Sequence, residues 1–288
     1  MTIIELASWD DFQTTVRDLE KQRDDLISMN PGTKFDSLLY RGLGNDWKLT
    51  TTLERESAPI EDISAYYRHV YFMKDHLKEM RPLDDSHQLW DNIPEPAAFD
   101  EALRAACASP SLDFFRETWY FFFIYLRQFG ASSPLLDRTK KAHFAAFFAF
   151  DGMDKAAEHV NVYVALREAS RSVSGEHVSW DIPQRFWSVL RRTFVQQAQY
   201  PLCFSWQFPC KFAPFPAFIE KQDSLGAGRL VQLRISANQR IVALKALDEM
   251  GINPHTLYNS EDALVRTISR RELLFKSNPA PQSRAASN

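Results

Sequence analysis

A chain of 288 residues, 45% hydrophobic and 25% charged, is long enough to bury a sizeable core, which excludes a disordered or low-complexity protein. With 34 basic against 37 acidic residues the formal charge is -3, so nothing draws the chain as a whole to nucleic acid or membrane, although a local basic groove fits that balance. Three cysteines, Cys107, Cys203 and Cys210, without a C-x-x-C pair argue against a zinc site or disulfide framework and for a reducing, cytoplasmic setting.

Residues Met1 to Trp9 show no basic segment followed by an apolar one, and no apolar run approaches the ~18 residues of a membrane span, so no membrane association is expected. The first helix is predicted from Ser8, a candidate N-cap, through Asp10 and Asp11 and the helically spaced Phe12, Val16 and Leu19, fading near Asn30-Pro31-Gly32. Ser37 to Tyr40 reads as a buried strand that delivers one fixed cation, Arg41, into a cleft. Gly42 and Gly44 are read as permitting tight turns just beyond it.

A helix over Glu61–Met80 carries a broad apolar face that includes Phe72 and Met73, and two more helices are predicted over Phe99–Cys107 and Asp113–Arg127. The aromatic content of the last argues for a central, buried position. Leu135-Leu136-Asp137 reads as a short buried strand, Ala142–Phe150 as an Ala/Phe helix and Val160–Leu166 as an alternating strand. Gln184–Val195 starts as a helix and ends as a strand, and Tyr200–Phe218 has no legible pattern. Leu230–Ile235 is a strand, Gln239–Met250 a helix closed by Gly251, and Ser260 opens a last helix through Arg271. One domain over 1–276 is expected, with inserted loops near 81–97 and 170–183 and a disordered tail over 277–288.

Two later stretches read as further walls of the cleft: Arg127 to Gly130 with Leu135 to Thr139, and Arg192 to Gln197. A guanidinium grips a phosphate through two parallel hydrogen bonds, which suits Arg41 to an anion, and Asp137 is read as its ion-pair partner rather than as a base. His143 lies among Ala and Phe and reads as a packed histidine. The remaining histidines lack metal-ligand spacing, so no metal is expected.

The order of these features resembles the FRG domain family, named for its (F/Y)-R-G motif. The likeness rests on Tyr40-Arg41-Gly42, Trp47-x-Leu49, Gln128-x-Gly130, Leu135-Leu136-Asp137-x-Thr139 and the Ala/Phe helix after it, then on Arg192 to Gln197 and the closing strand and helix. Phe129 stands where the family often has His, and Arg138 where it often has Trp. More distantly, the chain is similar to ADP-ribosyltransferases, which place an Arg at the end of an early strand and Ser/Thr before an Ala/Phe helix.

That likeness implies an α+β fold with a compact mixed-sheet core, split as in ADP-ribosyltransferases and surrounded by helices. It implies NAD as substrate, with Tyr40, Arg41, Gly42, Gln128 and Thr139 around it. Arg41, Asp137 and Gln197 would be the catalytic set, with Glu220 in reserve should a carboxylate be needed. The implied activity is ADP-ribosyl transfer to a macromolecule, single-stranded RNA or DNA before protein, by a toxin-like effector in phage defence held in check by an inhibitory antitoxin protein. The alternatives are a non-catalytic nucleotide sensor and a hydrolase of NAD or nucleic acid.

Overall fold

In a computed structural model that describes residues 1–29, 31, 35–46, 48–56, 60–80, 90–109, 114, 117–168, 191–216 and 230–277, the first helix, α1 (Trp9–Met29), starts where its cap predicts. Ser8 Oγ accepts from the Asp11 N–H at 3.1 Å, and the Asp11 carboxylate accepts from the Ser8 N–H at 3.0 Å. This reciprocal pair satisfies donors that the helix leaves unmade. The strand before it, β1 (Thr2–Leu6), is not anticipated by the sequence reading: it is half exposed and pairs in parallel with β6 (Leu230–Ser236), far along the chain.

The strand predicted at Ser37–Tyr40 is longer, β2 (Phe35–Leu43), and pairs antiparallel with β4 (His159–Glu168) on one side and with β3 (Arg138–Thr139) on the other. With β5 (Ala198–Gln199), the described strands form one six-stranded sheet in the order β1-β6-β4-β2-β3-β5, in which β1 and β6 are parallel and the other neighbours antiparallel. The fold is α+β, with the described strands in one continuous sheet rather than a split one.

Side chains alternate across β2 as the pleat requires. Leu38 and Tyr40 join Val160, Val162 and Val164 against α1, α7 (Ala142–Asp151) and α9 (Arg240–Glu249) in one core. Arg41 has the opposite parity, shared with Leu43, whose side chain joins Leu136 and Tyr163 on the other face. A third core is helical, formed by α3 (Ile63–Tyr71), α5 (Pro96–Ala108) and α6 (Thr118–Gln128) with the segment from Tyr200 to Cys210. As its aromatic content implies, α6 is buried at every position from Trp119 to Leu126.

Several expectations are corrected. Gly42 serves close packing rather than a turn, whereas Gly44 does sit in the bend that follows β2: the strand runs straight through Gly42, and a Cβ there would collide with the Ala145 carbonyl and lie 2.8 Å from the Ala149 nitrogen, both backbone atoms of α7. The helix predicted over 61–80 breaks at Phe72 into α3 and α4 (Met73–Met80), and the ring of Phe72 turns to solvent instead of joining the apolar face. Leu135 to Asp137 form no strand; the ladder begins at Arg138, because Asp137 is taken up by arginines. The stretch ending at Val195 is helical there, as α8 (Arg191–Val195), not extended. The last helix, α11 (Glu261–Ser269), widens into π-type turns over Arg270–Phe275. Residues 184–190, the loop at 170–183 and the tail from 278 lie outside the described residues, as do 81–89 of the loop at 81–97.

The Cys107 and Cys210 sulfurs, far apart in sequence, lie 3.0 Å from each other as free thiols. His143 packs edge-on to Trp9 and Phe12, and burial lowers its pKa, in keeping with a packed side chain. Among the described residues no helix is long and apolar enough to cross a membrane.

Candidate functional site

The end of β2, the turn after α6, β3 and the α8–β5 junction converge on one cleft of about 300 Å³, at the small end of ligand sites. Arg41, Arg127, Arg138 and Arg192 border it, and among the described residues Asp137 is the one carboxylate that does. Among the described residues, four guanidinium groups around one carboxylate give a net positive lining, which is costly to dehydrate without an anion.

Arg41 is 7% exposed. One of its terminal nitrogens donates to the Asp137 carbonyl at 2.6 Å and to the Asp137 carboxylate, which also accepts from Arg127 at 2.8 Å. Asp137 is therefore the ion-pair partner that its sequence context suggests. Desolvation opposes its ionisation, but Arg41 and then Arg127 outweigh that and hold its pKa well below the usual carboxylate range. The geometry thus suits Asp137 to holding the two guanidinium groups in place.

The Arg41–Asp137 pairing has a testable pH signature. Because the folded pKa is depressed, the pair's contribution is complete above the unfolded carboxylate value of ~3.9 and is lost as pH falls from there towards the folded pKa. Discounted for the partial exposure of Asp137, it amounts to roughly 1 kcal/mol. Asp137→Asn is expected to lower the melting temperature at neutral pH by a few degrees, with the gap to wild type closing below ~pH 4. A gap of constant size down the whole acid limb would rule the pairing out.

Among the described residues, the buried Nε of Arg41 and that of Arg127 have no hydrogen-bond partner. Arg138 is 2% exposed with all three guanidinium nitrogens unpartnered among the described residues, and it stacks 3.6 Å from the centre of the Phe215 ring. Burial, with Arg41 adding to it, pushes its pKa down to about 9. One residue along each antiparallel strand from the Tyr40–Thr139 pair, Arg41 and Arg138 face each other across β2 and β3, an arrangement of like charges that is unfavourable without an intervening anion.

The aromatic side is supplied by Phe148, Tyr200 and Tyr258. Gln128 donates to the Thr193 hydroxyl and, at 3.0 Å, to the Tyr200 hydroxyl, whose pKa is pushed up to about 12, by burial first and Asp137 second. Gln128 thereby ties α6 to α8 rather than acting as a free amide. Thr139 Oγ1 donates to the Gln196 carbonyl at 2.7 Å and accepts from the Lys141 N–H at 3.1 Å, so its hydroxyl joins β3 to the start of α7 and to α8. Tyr40 borders the cleft, but its ring packs into the α1/α7 core and its buried hydroxyl has no partner among the described residues.

Gln197 is corrected. It is exposed, its backbone is in the left-handed region at φ 47°, and it does not border the cleft. Its neighbour Gln196 does, with its amide donating to the Leu257 carbonyl at 3.1 Å. The left-handed turn that joins α8 to β5 swings the side chain at 197 outward. Glu220 lies outside the described residues.

Of the sequence-derived set, Tyr40, Arg41, Gly42, Gln128, Asp137 and Thr139 therefore border one cleft. The sequence reading missed Tyr200, Tyr258 in α10 (Pro254–Tyr258) and the claim of Arg127 on Asp137. Only the position of Arg127 at the end of an all-apolar helix signals a cation with a buried partner. Among the described residues no cluster of three or more His, Cys, Asp or Glu could hold a metal ion.

An α+β protein with a buried arginine at a strand end, answered by an aspartate before an Ala/Phe helix, is the class these features define. Residues 36–158 match the FRG domain family, the family to which Tyr40-Arg41-Gly42 and the Gln128–Phe150 block point. That span holds β2, Arg127, Asp137 and α7, and stops short of α8, β5 and β6. No curated protein and no solved structure matches the chain.

Proposed function

We propose that the cleft binds the pyrophosphate-bearing part of NAD and that the protein transfers ADP-ribose from it to a macromolecular acceptor. The observation that carries this reading is the surplus of guanidinium charge at Arg41, Arg127, Arg138 and Arg192, of which Arg41 and Arg138 are buried, beside the rings of Phe148, Tyr200 and Tyr258. The unpartnered Nε atoms of Arg41 and Arg127 leave donors for phosphate oxygens, and tyrosine and phenylalanine faces suit a planar heterocycle. The cleft volume accommodates part of a dinucleotide, with the remainder outside.

In such a reaction the bond between the ribose anomeric carbon and the nicotinamide nitrogen breaks, with its electron pair leaving on nicotinamide. A new bond joins that carbon to an acceptor oxygen or nitrogen, which gives up its proton. Arg41 and Arg127 would hold the phosphates, Asp137 would lock both guanidiniums in place, and the aromatic wall would exclude water. Positioning and electrostatics would supply most of the acceleration. An uncontrolled transferase would harm its own cell, so a cytoplasmic setting with an inhibitory partner belongs to the same proposal.

One observation favours a second reading. Asp137 is the one carboxylate bordering the cleft among the described residues and is taken up by Arg41 and Arg127, which suits a non-catalytic nucleotide sensor. Incubation with labelled NAD and total RNA, DNA or cell lysate separates the possibilities. Transfer is expected to put label on a macromolecule. Free ADP-ribose would mean hydrolysis, and NAD bound without turnover would mean sensing.

A further inference from the structure

Two of the three cysteines meet at a point that does not border the cleft. Cys107, in the last turn of α5, is half-buried, and Cys210, 103 positions further on, is fully buried in the aromatic core around α6. Their sulfurs lie 3.0 Å apart, closer than the ~3.5–4.0 Å at which nonbonded carbon atoms settle. A disulfide holds its sulfurs at ~2.05 Å, so about 1 Å of approach separates these thiols from a bond.

The backbone at Cys210 is fixed as well. Its N–H donates to the Gln207 carbonyl at 2.7 Å, and its carbonyl accepts from the N–H of Ile63, the first residue of α3, at 3.1 Å. Cys210 is held in the left-handed region at φ 64°, a conformation that a residue with a side chain keeps only where its surroundings enforce it. The turn that these bonds hold presents the sulfur to Cys107. Cys203 is the contrast: it packs in a different core, with Leu43, Leu136 and Phe215, and burial pushes its thiol up to about 12.

We infer that Cys107 and Cys210 form a modification site, a dithiol that a hydroperoxide converts to a reversible disulfide. Cys107, the more exposed of the two, meets the oxidant. Its sulfur attacks one peroxide oxygen, the O–O bond breaks, and the departing hydroxide takes the Cys107 proton and leaves as water, with Cys107 now a sulfenic acid. The Cys210 sulfur then attacks the Cys107 sulfur, the S–O bond breaks, and hydroxide leaves with the Cys210 proton as a second water. Two thiols have given up two electrons and the peroxide has taken them. Burial first, and the contact with Cys107 after it, raise the Cys210 pKa, which keeps that thiol from reacting with oxidant on its own and leaves it the resolving step.

In a reducing compartment such bridges are transient and sense oxidants, so the site needs no oxidising surroundings. The bond ties α5 to the segment that begins at Tyr200 on the cleft wall, and it stands whether or not the cleft binds a nucleotide.

The test treats the full chain with a small excess of hydrogen peroxide and counts thiols after denaturation. The count is expected to fall from three, leaving Cys203 alone, and to return to three with dithiothreitol. Mass mapping should find Cys107 joined to Cys210, with chymotrypsin added to trypsin because Cys203 and Cys210 share a tryptic peptide. Since the closed loop is long, the oxidised protein is expected to melt roughly 5 °C or more above the reduced one. Cys107→Ser, at a half-buried position, is expected to lose both the bridge and the rise in melting temperature.

Three thiols surviving peroxide, a bridge that includes Cys203 or joins two chains, or Cys107 carried on to sulfinic acid with Cys210 still free would each overturn the inference. So would a lower melting temperature after oxidation, because the bridge would then distort the fold instead of fitting it. The thiol count and the map are read on the wild-type chain, so they decide the matter even where a variant fails to fold.

Discussion

Arg41→Ala is expected to abolish NAD binding and any transfer while lowering the melting temperature by only a few degrees. The loss of function follows from position. Arg41 is the buried cation at the end of β2, and its unpartnered Nε and its location on the cleft wall leave it available to a phosphate while Asp137 fixes its outer edge. Arg41→Lys is expected to fail nearly as badly, because an ammonium cannot make two parallel bonds and keep the aspartate as well.

The small cost in stability follows from the other arginine. With Arg41 gone, Asp137 still accepts from Arg127 at 2.8 Å, so no charge is left stranded, and the repulsion between Arg41 and its neighbours Arg127 and Arg138 disappears. About 1 kcal/mol remains as the net loss, a shift of ~2–4 °C for a domain of this size. Calorimetric binding and a thermal melt on the same preparation check both halves. A variant that unfolds would assign Arg41 to the architecture, and one that still binds NAD as wild type does would dissociate the cleft from the nucleotide.

Gly42→Ala should do the opposite, destabilising the fold and disturbing the site together. The added methyl would enter the space of the Ala145 carbonyl and come within 2.8 Å of the Ala149 nitrogen, and backbone atoms of a packed helix cannot turn aside as a flexible side chain can. Helix α7 would have to lift from β2, opening the contact made by Ala142, Ala145, Ala146 and Ala149. Overpacking costs ~1–3 kcal/mol where side chains can adjust, and here the upper end or more is expected, a fall of roughly 6–12 °C. Thermal denaturation measures it directly. A melt unchanged from wild type would show that α7 does not lie as close to the strand as its alanine face implies.

The two expectations meet in Tyr40-Arg41-Gly42, where one residue buries a ring in the core, the next turns a charge to the opposite face and the third admits a helix. Alternation along a strand allows three neighbours to do three separate jobs.

The sequence by itself determined most of the local elements and the identity of the anchor. Ser8 with Asp11 announced α1, the unbroken aromatic run announced the burial of α6, and alternation announced β4 and β6, because each signal is a preference of neighbouring residues for water or for its absence. Arg41 and its aspartate were legible for the same reason: a charge at the end of an apolar run needs a partner.

Tertiary structure alone decided what those local signals do not encode. The parallel pairing of β1 with β6 joins residues more than two hundred positions apart, and no periodicity within five residues can specify that. The convergence of Arg127, Arg192, Tyr200 and Tyr258 on one cleft depends on how separate helices pack. The choice of Gln196 over Gln197 turns on a single left-handed residue, which redirects a side chain without any change in composition. The exposure of Phe129 was decided in the same way. The turn that closes α6 against Gly130, at φ 94°, leaves its ring facing water.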